Sequence, residues 1–392
     1  MRRAAPLVGG ALAAAVVVAV AATRHAAVAS GSPIEPRGAW DAVWIAALVG
    51  AFLLYGLGVL LSARMTLVVA VVVAVVVQLA PLFAPLLLSR DVYLYWAEAR
   101  VVTVHGANPY RVTPSRYPDD PATRQASAQW RTQPEPYGPG WVALGTLPAL
   151  TAGRSAHRAE LFYRLFASAA MLAALALLAW TTRSARAVAF LGWSPLLALH
   201  LAGGGHSDAW IGLALVAGVA LRATATGGVA WPLGSAIKGV PAVVLPLELA
   251  RARLRFPRRF WVALIAGGVA VIVPATAFFG VKWVTAATIG AHGTSPIGGV
   301  HFLTEAGLRH RYAVLVAGFV FVAIYAALLR EAWVRGRARL ALAMVAFCMC
   351  SSLLRPWYAV WPVALAAAEE DGAGQLAAYA LSAYVLFADA IP

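Results

Sequence analysis

Asp91 is the residue of this sequence best placed to act as an acid or a base. It follows a long apolar run and lies at the start of the segment 89–137, which is polar, aromatic and rich in arginine and proline. Asp91, Tyr95 and Glu98 fall at positions i, i+4 and i+7, so a helix would place all three on one face. A carboxylate there could accept a proton from a hydroxyl group. The same spacing also allows Asp91 to cap the helix N-terminus and Glu98 to be a solvated loop acid.

Four polar residues further along the chain could complete a site around this aspartate. His206 and Asp208 lie in a glycine-rich stretch at the end of an apolar run, where ionisable groups are costly unless they are used. Lys238 is isolated in an apolar segment, where a cation either serves a function or extends to the membrane surface. Arg355 precedes Pro356-Trp357-Tyr358 and is either an interface anchor or a functional cation. A fixed cation near a carboxylate could stabilise negative charge that develops on a phosphate group.

Two proline-containing motifs have the composition of turns, and spacing alone predicts a structural role for them. They are Asn108-Pro109-Tyr110 and Tyr137-Gly138-Pro139-Gly140. The sequence has no zinc, phosphate-loop or dinucleotide motif, and His292 and His301 lack the spacing of metal ligands. We therefore expect neither a cofactor nor a metal site.

The composition indicates a protein that crosses a membrane many times. Of 392 residues, 12% are charged and the mean hydropathy is +0.76, whereas a soluble domain has about 25% charged residues. The net charge of +15 is almost entirely arginine, as expected where cytoplasmic loops gather positive residues, and it favours contact with anionic lipids or lipid phosphates. The arginines form no continuous basic face, so nucleic acid is not an expected partner. Cys348 and Cys350 would point to nearly opposite sides of a helix, as small buried hydrophobes.

The elements that must position the candidate residues follow from the apolar runs and the arginines. We predict a short interfacial helix from Asp91 to Val104 that ends at Gly106. The segment 138–152 is too short to span and is predicted to re-enter the same face, which is tolerable where protein surrounds the backbone. The segment 229–250 lies between arginines that should all be cytoplasmic, so we predict two half-length helices that meet at Lys238.

The remaining apolar runs are predicted to be transmembrane or short helices. They cover residues 7–22, 40–61, 66–88, 160–181, 188–201, 209–221, 261–279, 312–333, 340–353, 359–368 and 375–388. After the first run, Ala27-Val28-Ala29 resembles a signal-peptidase site, and the sequence is compatible with a cleaved signal or a retained span. With the arginine-rich loops inside, the candidate residues all face outside. We predict one membrane domain over residues 1–392, with 89–137 as a large extracytoplasmic loop.

Several motifs together resemble the bacterial GT-C glycosyltransferases, and more narrowly the polyprenyl-phosphate-mannose-dependent α-mannosyltransferases of actinobacterial envelopes. In chain order they are Ser89-Arg90-Asp91-Val92-Tyr93 with Tyr95, His105-Gly106-Ala107-Asn108-Pro109-Tyr110, Trp130, Pro136-Tyr137-Gly138-Pro139, Ser194-Pro195-Leu196 through His200, Gly204-Gly205-His206-Ser207-Asp208, Lys238 and Pro356-Trp357-Tyr358. Ser207 departs from the pattern, since related sequences often carry asparagine before the acid, and two spans besides the N-terminal one precede Asp91.

The resemblance implies an all-α, GT-C-type bundle of about 11–13 transmembrane helices with short and re-entrant helices and a loop domain on the outer face. Asp91 would be the catalytic base. Candidate substrate-binding residues are Arg90, Tyr93, Tyr95, Glu98, Asn108, Tyr110, Tyr137, His206, Asp208, Lys238, Arg355, Trp357 and Tyr358.

The implied reaction moves a sugar, mannose by resemblance, from a polyprenyl-phosphate donor to a glycolipid or glycan acceptor outside the plasma membrane. One carboxylate is sufficient for an inverting displacement, because a lipid phosphate leaves without protonation, whereas glycosidases need a second acid for the leaving oxygen. The alternative is a transporter or flippase of lipid-linked sugars. Many transporters contain internal repeats, but this chain shows no two-fold hydropathy repeat.

Overall fold

The computed structural model describes residues 4–25, 38–285 and 295–390, and within these ranges the chain is helical without any β-strand. The α-helices, numbered α1–α18, are Ala4–Ala22, Ala39–Leu61, Leu67–Leu79, Asp91–Thr103, Pro121–Gln125, Pro139–Ala152, Ala156–Thr182, Ala185–Gly192, Pro195–Ala198, Asp208–Ala220, Ala225–Ile237, Val240–Arg251, Arg258–Phe279, Gly299–Glu305, His310–Arg335, Leu340–Cys350, Val360–Glu369 and Gly372–Ala390. The possible signal-peptidase site at Ala27-Val28-Ala29 and His292 fall outside the described residues.

The structure confirms an all-α, multi-pass membrane fold. In the described ranges five helices are long and apolar enough to cross a membrane, or six if the bent pair α8 and α9 is one span; four further apolar helices are shorter. This number is lower than the predicted 11–13 spans. The difference arises because many apolar runs form helices of 10–17 residues, fewer than the roughly 20 that a straight span needs. The free cysteines lie in α16, where Cys348 is buried and Cys350 partly buried, as the spacing indicated.

Two helix breaks bring polar residues into the interior. The pair α8 and Pro195–Gly203 bends by 50°, and a π-helical turn over Leu199–Gly203 leads into the His206 turn. As predicted, the run 229–250 is broken: α11 ends at Ile237 and α12 begins at Val240, with Lys238 in an extended conformation between them. Pro241 has no N–H to donate and restricts the residue before it, so one helix cannot run through this point.

The predicted helix at the start of the segment 89–137 is confirmed as α4, Asp91–Thr103, with Gly106 just beyond its end at a φ of +60°. A positive φ is readily available to glycine, which explains why the helix stops there. The helix packs against α6 and α7. The possibility of a solvated Glu98 is wrong, because its side chain is buried on this packed face.

A charged network fixes the end of α4 to the rest of the segment 89–137, called the Asp91 segment below. Arg100 Nε donates to both carboxylate oxygens of Asp120 at 2.8 and 3.0 Å, and Arg100 also donates to the carbonyl oxygen of Gly153 at 2.7 Å. His105 Nε2 lies 3.0 Å from Asp120. Burial alone would raise the pKa of Asp120, but its bonds to Arg100, the Ala122 N–H and His105 outweigh burial and lower it. This network makes the Asp91 segment a folded part of the molecule.

Candidate active site

Asp91 occupies the first position of α4, with its backbone N–H donating to Ser89 Oγ at 3.2 Å. Its side chain is 22% exposed, so one side of the carboxylate faces open space. Enclosure by the surrounding helices raises the pKa of Asp91, and the positive charge of Arg355, the hydrogen bond to Ser89 and the charge of Lys238 partly oppose that rise. A carboxylate with a raised pKa that still contacts open space has the properties of a general base.

His206 covers the other side of this carboxylate. Its Nδ1 lies 3.7 Å from Asp91 Oδ2 and 3.4 Å from the hydroxyl of Tyr95. The imidazole is fully buried and stacks on Trp357, with ring centroids 3.8 Å apart and planes at 14°. The stacked tryptophan fixes the orientation of the ring, so His206 orients the carboxylate and has no exposed surface for a substrate.

Lys238 and Asp208 form an ion pair inside an aromatic enclosure. Lys238 Nζ lies 3.4 Å from Asp208 Oδ1, which also accepts a hydrogen bond from Trp361 Nε1 at 2.9 Å. The ammonium lies 4.0 Å from the ring centroid of Tyr358 and 4.9 Å from that of Trp361, a cation–π arrangement. Lys238 is 21% exposed and Asp208 is fully buried, so the first task of this ammonium is to neutralise Asp208.

Arg355 is a second cation near Asp91, and no carboxylate among the described residues neutralises it. Its guanidinium lies 6.0 Å from the ring centroid of Trp357, it is partly exposed, and in the described ranges no carboxylate lies within ion-pair distance of it. It acts on the Asp91 carboxylate through space more strongly than Lys238 does. An unneutralised guanidinium beside a base can receive the negative charge of a phosphate group.

The turn at Tyr137-Gly138 joins the Asp91 segment to the break at Lys238. The hydroxyl groups of Tyr95 and Tyr137 lie 3.3 Å apart, and the Gly138 N–H donates to the carbonyl oxygen of Ile237 at 2.9 Å. A Cβ at Gly138 would overlap the carbonyl oxygen of Ala236. Only glycine therefore permits this close approach of two backbones.

Gly138→Ala is expected to separate the Tyr137 turn from the Lys238 break, because the added methyl group meets rigid backbone rather than a flexible side chain. We expect a lower unfolding temperature, corresponding to about 1–3 kcal/mol of lost stability for such a forced clash. Activity should also be greatly reduced. The matched control is Gly268→Ala in α13, where a Cβ meets no atom within 4 Å. Equal thermal unfolding curves for the two purified variants would contradict this account of the turn.

The structure brings most of the predicted residues together. The assembled residues are Asp91, Tyr95, Tyr137, His206, Asp208, Lys238, Arg355, Trp357 and Tyr358. They come from α4, two turns, a helix break and the segment before α17, which are distant in the chain. The predicted proximity of Asp91 and Lys238 is therefore present.

Five predicted residues lie outside this cluster. Arg90 Nη2 contacts Gln125, and the hydroxyl of Tyr93 lies 3.3 Å from Glu160, so both point away from the Asp91 carboxylate. Asn108 bonds Tyr110 N and the carbonyl oxygen of Phe279, as a turn residue does. The remaining two are Tyr110, which donates to the carbonyl oxygen of Tyr137 at 3.0 Å, and the buried Glu98.

Sequence reasoning missed Trp361 and Glu135. Trp361 lies three residues after Tyr358 in a helical stretch, so helical spacing was an available signal for it. Glu135 is an isolated acid before a proline and offered no pattern.

Two apolar grooves of about 500 and 570 Å³ lie elsewhere, between α1 and α3 and between α12 and α15. No group of three metal-ligating side chains occurs in the described residues.

The fold and the site define a multi-pass membrane protein with a carboxylate at the start of α4 and, near it, an arginine that has no ion-pair partner among the described residues. The chain belongs to the family described as "Alpha-(1->6)-mannopyranosyltransferase, N-terminal domain", whose family model matches residues 7–290.

Two curated proteins are similar to it. The chain is 29% identical over 347 residues to Alpha-(1->6)-mannopyranosyltransferase A of Mycobacterium tuberculosis, covering 76% of this chain and 65% of that protein. It is 33% identical over 134 residues to a probable alpha-(1->6)-mannopyranosyltransferase of Mycolicibacterium smegmatis, covering 31% of this chain and 23% of that protein. The chain thus spans at most 65% of the length of these relatives. No solved structure matches it.

Proposed function

We propose that this chain transfers mannose from a polyprenyl-phosphate donor to a glycolipid or glycan acceptor on the extracytoplasmic side of the plasma membrane. Family membership supports mannosyl transfer, and the printed names of both relatives describe mannopyranosyltransferases. The single observation that carries the proposal is the Asp91 carboxylate, which is partly open, beside the unpaired guanidinium of Arg355.

The proposed reaction is one inverting displacement. The acceptor hydroxyl oxygen attacks the anomeric carbon, and the bond from that carbon to the phosphate oxygen breaks. The electron pair of the broken bond leaves with the polyprenyl phosphate, and the acceptor proton passes to Asp91. Arg355 stabilises the phosphate charge as it develops. The charge balance of the reaction therefore requires no second acid and no metal.

The membrane setting supports a lipid donor. A polyprenyl tail dissolves in the bilayer, so its phosphosugar lies at the depth of the lipid headgroups. The arginine distribution supports an extracytoplasmic position for Asp91, and α4 lies between apolar helices and a polar segment, as an interfacial helix does.

Arg355→Gln is expected to reduce transfer by about 10²–10³-fold, the usual effect of removing one group that stabilises developing charge. Arg355→Lys should recover part of the rate, because it restores the charge without the planar fork. Both variants should unfold at the wild-type temperature, since Arg355 has no ion-pair partner among the described residues. Arg116→Gln, which removes an exposed arginine of the Asp91 segment, is the control; an Arg355→Gln rate equal to that control would contradict the phosphate role.

The function is tested in cells by mass spectrometry of envelope glycolipids from a strain that lacks this chain. We expect glycans shortened by hexose units; the mass of the truncated species identifies the acceptor, and sugar analysis of the missing units identifies the hexose. Glycans of wild-type mass would contradict the proposal, and translocation of lipid-linked sugars by the purified protein with no glycosyl product would favour a transporter.

A further inference from the structure

Glu98 and Glu135 form a pair of buried acids that the proposed reaction does not use. Glu98 lies on α4, seven residues after Asp91, and Glu135 lies two residues before Tyr137. Each side chain is 2% exposed. In the described ranges no donor group reaches either carboxyl oxygen of Glu98, and the side chain of Glu135 lies within hydrogen-bonding reach of it.

Glu135 connects this pair to the candidate active site. Its Oε1 accepts the Tyr137 N–H at 3.1 Å, and its own N–H donates to the carbonyl oxygen of Pro109 at 3.0 Å. The next residue after Tyr137 bonds to Ile237, directly before Lys238. One acid of the pair is therefore on the helix that begins at Asp91, and the other is on the turn that reaches the Lys238 break.

Among the residues that the structure describes, no cation lies within ion-pair distance of either acid. The titratable groups that act on it from the surrounding elements are Asp91 on α4, Tyr110 in the loop that follows α4, and Tyr163 on α7. Helix α6 has no titratable side chain. The charged side chains at the far end of α4, around Asp120, satisfy one another.

Two adjacent carboxyl groups in such surroundings do not both ionise. Burial raises the pKa of Glu98 well above its ordinary value, and the nearby Glu135 raises it further. Burial raises the pKa of Glu135 to about 8, although the Tyr137 N–H opposes that rise. Because Glu135 already accepts this N–H, it is the first of the two acids to ionise, and Glu98 keeps its proton to higher pH.

We propose that Glu98 and Glu135 form a protonated acid pair, and that this pair positions Asp91 by joining α4 to the Tyr137 turn. They act through the backbone elements that carry them, and neither touches the reacting atoms. When Glu135 ionises, a buried negative charge appears between α4 and the turn, and when Glu98 follows at higher pH two negative charges face each other, so α4 and the turn separate. The link to catalysis rests on the proposed function, whereas the protonated pair itself does not.

The pair is tested first by thermal unfolding of the purified full-length protein without substrate. Because the folded-state pKa of each acid is raised, the stabilisation is complete below about pH 4.5 and is lost as the pH rises through the folded value, about 8 for Glu135. Glu98→Gln keeps an uncharged donor in place of the protonated acid. We expect its decrease in Tm between about pH 6 and about pH 9 to be no more than about half that of the wild type.

The control is Asp119→Asn, which removes a carboxylate of the same segment that is 96% exposed, and it should keep the wild-type dependence on pH. Glu135→Gln is the second variant, since its amide oxygen can still accept the Tyr137 N–H, and it should flatten the profile in the same way. A wild-type pH profile in the variant or variants that fold would overturn the proposal. So would failure of both variants to fold, because a neutral pair should be tolerated.

The pH dependence of turnover then tests the positioning role. The wild-type rate should fall on the alkaline side, and Glu98→Gln should shift that limb to higher pH while keeping the neutral rate within about threefold. An unchanged limb with a flattened unfolding profile would overturn the positioning role alone. Absence of any transferase activity in the wild type would count against the proposed function and leave the unfolding result intact.

Discussion

Asp91→Asn is expected to lower mannosyl transfer by about 10²–10⁴-fold without unfolding the protein. Asparagine has nearly the same shape as aspartate but cannot accept the acceptor proton at neutral pH. The geometry around the side chain should persist, because Ser89 bonds the backbone N–H of residue 91 and His206 is held by its stack on Trp357. The loss should therefore be in turnover rather than in folding.

The measurement is the initial rate of transfer from a lipid-phosphate mannose donor by purified protein, with the unfolding temperature recorded for the same sample. Asp119→Asn makes the same chemical change at an exposed site of the Asp91 segment and should be fully active. Near wild-type turnover of Asp91→Asn would remove this residue as the base.

Lys238→Met has the second-largest expected effect, and it acts on stability. Methionine fills a similar volume between Tyr358 and Trp361 but leaves the fully buried Asp208 without a counter-charge. Breaking one side of a buried ion pair destabilises a protein by about 3–5 kcal/mol. Trp361 Nε1 still donates to Asp208, which places the expected loss towards the lower end of that range.

The double variant Lys238→Met with Asp208→Asn separates this explanation from substrate binding. Removing both charges should recover most of the unfolding temperature, because neither partner is then left as an isolated buried charge. Lys282→Met is the matched control, since Lys282 is exposed on a 3₁₀ turn. A Lys238→Met protein that melts like the wild type but cannot transfer sugar would assign Lys238 to the donor phosphate instead.

The sequence was informative wherever local spacing or charge placement decides the structure. The i, i+4 spacing of Asp91 and Tyr95 predicted α4 and the shared face, which the contact of Tyr95 with His206 confirms. The arginines on both sides of 229–250 predicted the break at Lys238, because both flanks cannot be cytoplasmic if one helix crosses. The site residues come from five distant elements, so the family-like order of motifs was the signal that linked them.

The rest depended on tertiary packing that no local pattern contains. Glu98 shares the helical face of Asp91, but that face is covered further along α4 by α6 and α7, so the acid is buried. Arg90 and Tyr93 are close to Asp91 in sequence, but the rotation of the helix directs them to Gln125 and Glu160. Only five or six described helices have the length and composition of a full straight span, because hydropathy does not show where a buried apolar helix bends or stops.

The ion pair at Asp208 also distinguishes the roles of the two cations, Lys238 and Arg355. From sequence alone, Lys238 and Arg355 were equal candidates for the phosphate. The structure gives Lys238 an anionic partner and leaves Arg355 without one among the described residues. We therefore assign the phosphate to Arg355 and the support of the site to Lys238.

The central claim is that this chain itself transfers the sugar in one displacement at Asp91. It is tested most directly by incubating the purified chain in lipid nanodiscs with lipid-phosphate mannose and a glycan acceptor, and by determining the anomeric configuration of the product by NMR. We expect a mannosylated product whose configuration at the anomeric carbon is opposite to that of the donor. A product with retained configuration, or none while Asp91 and the fold are intact, would contradict it.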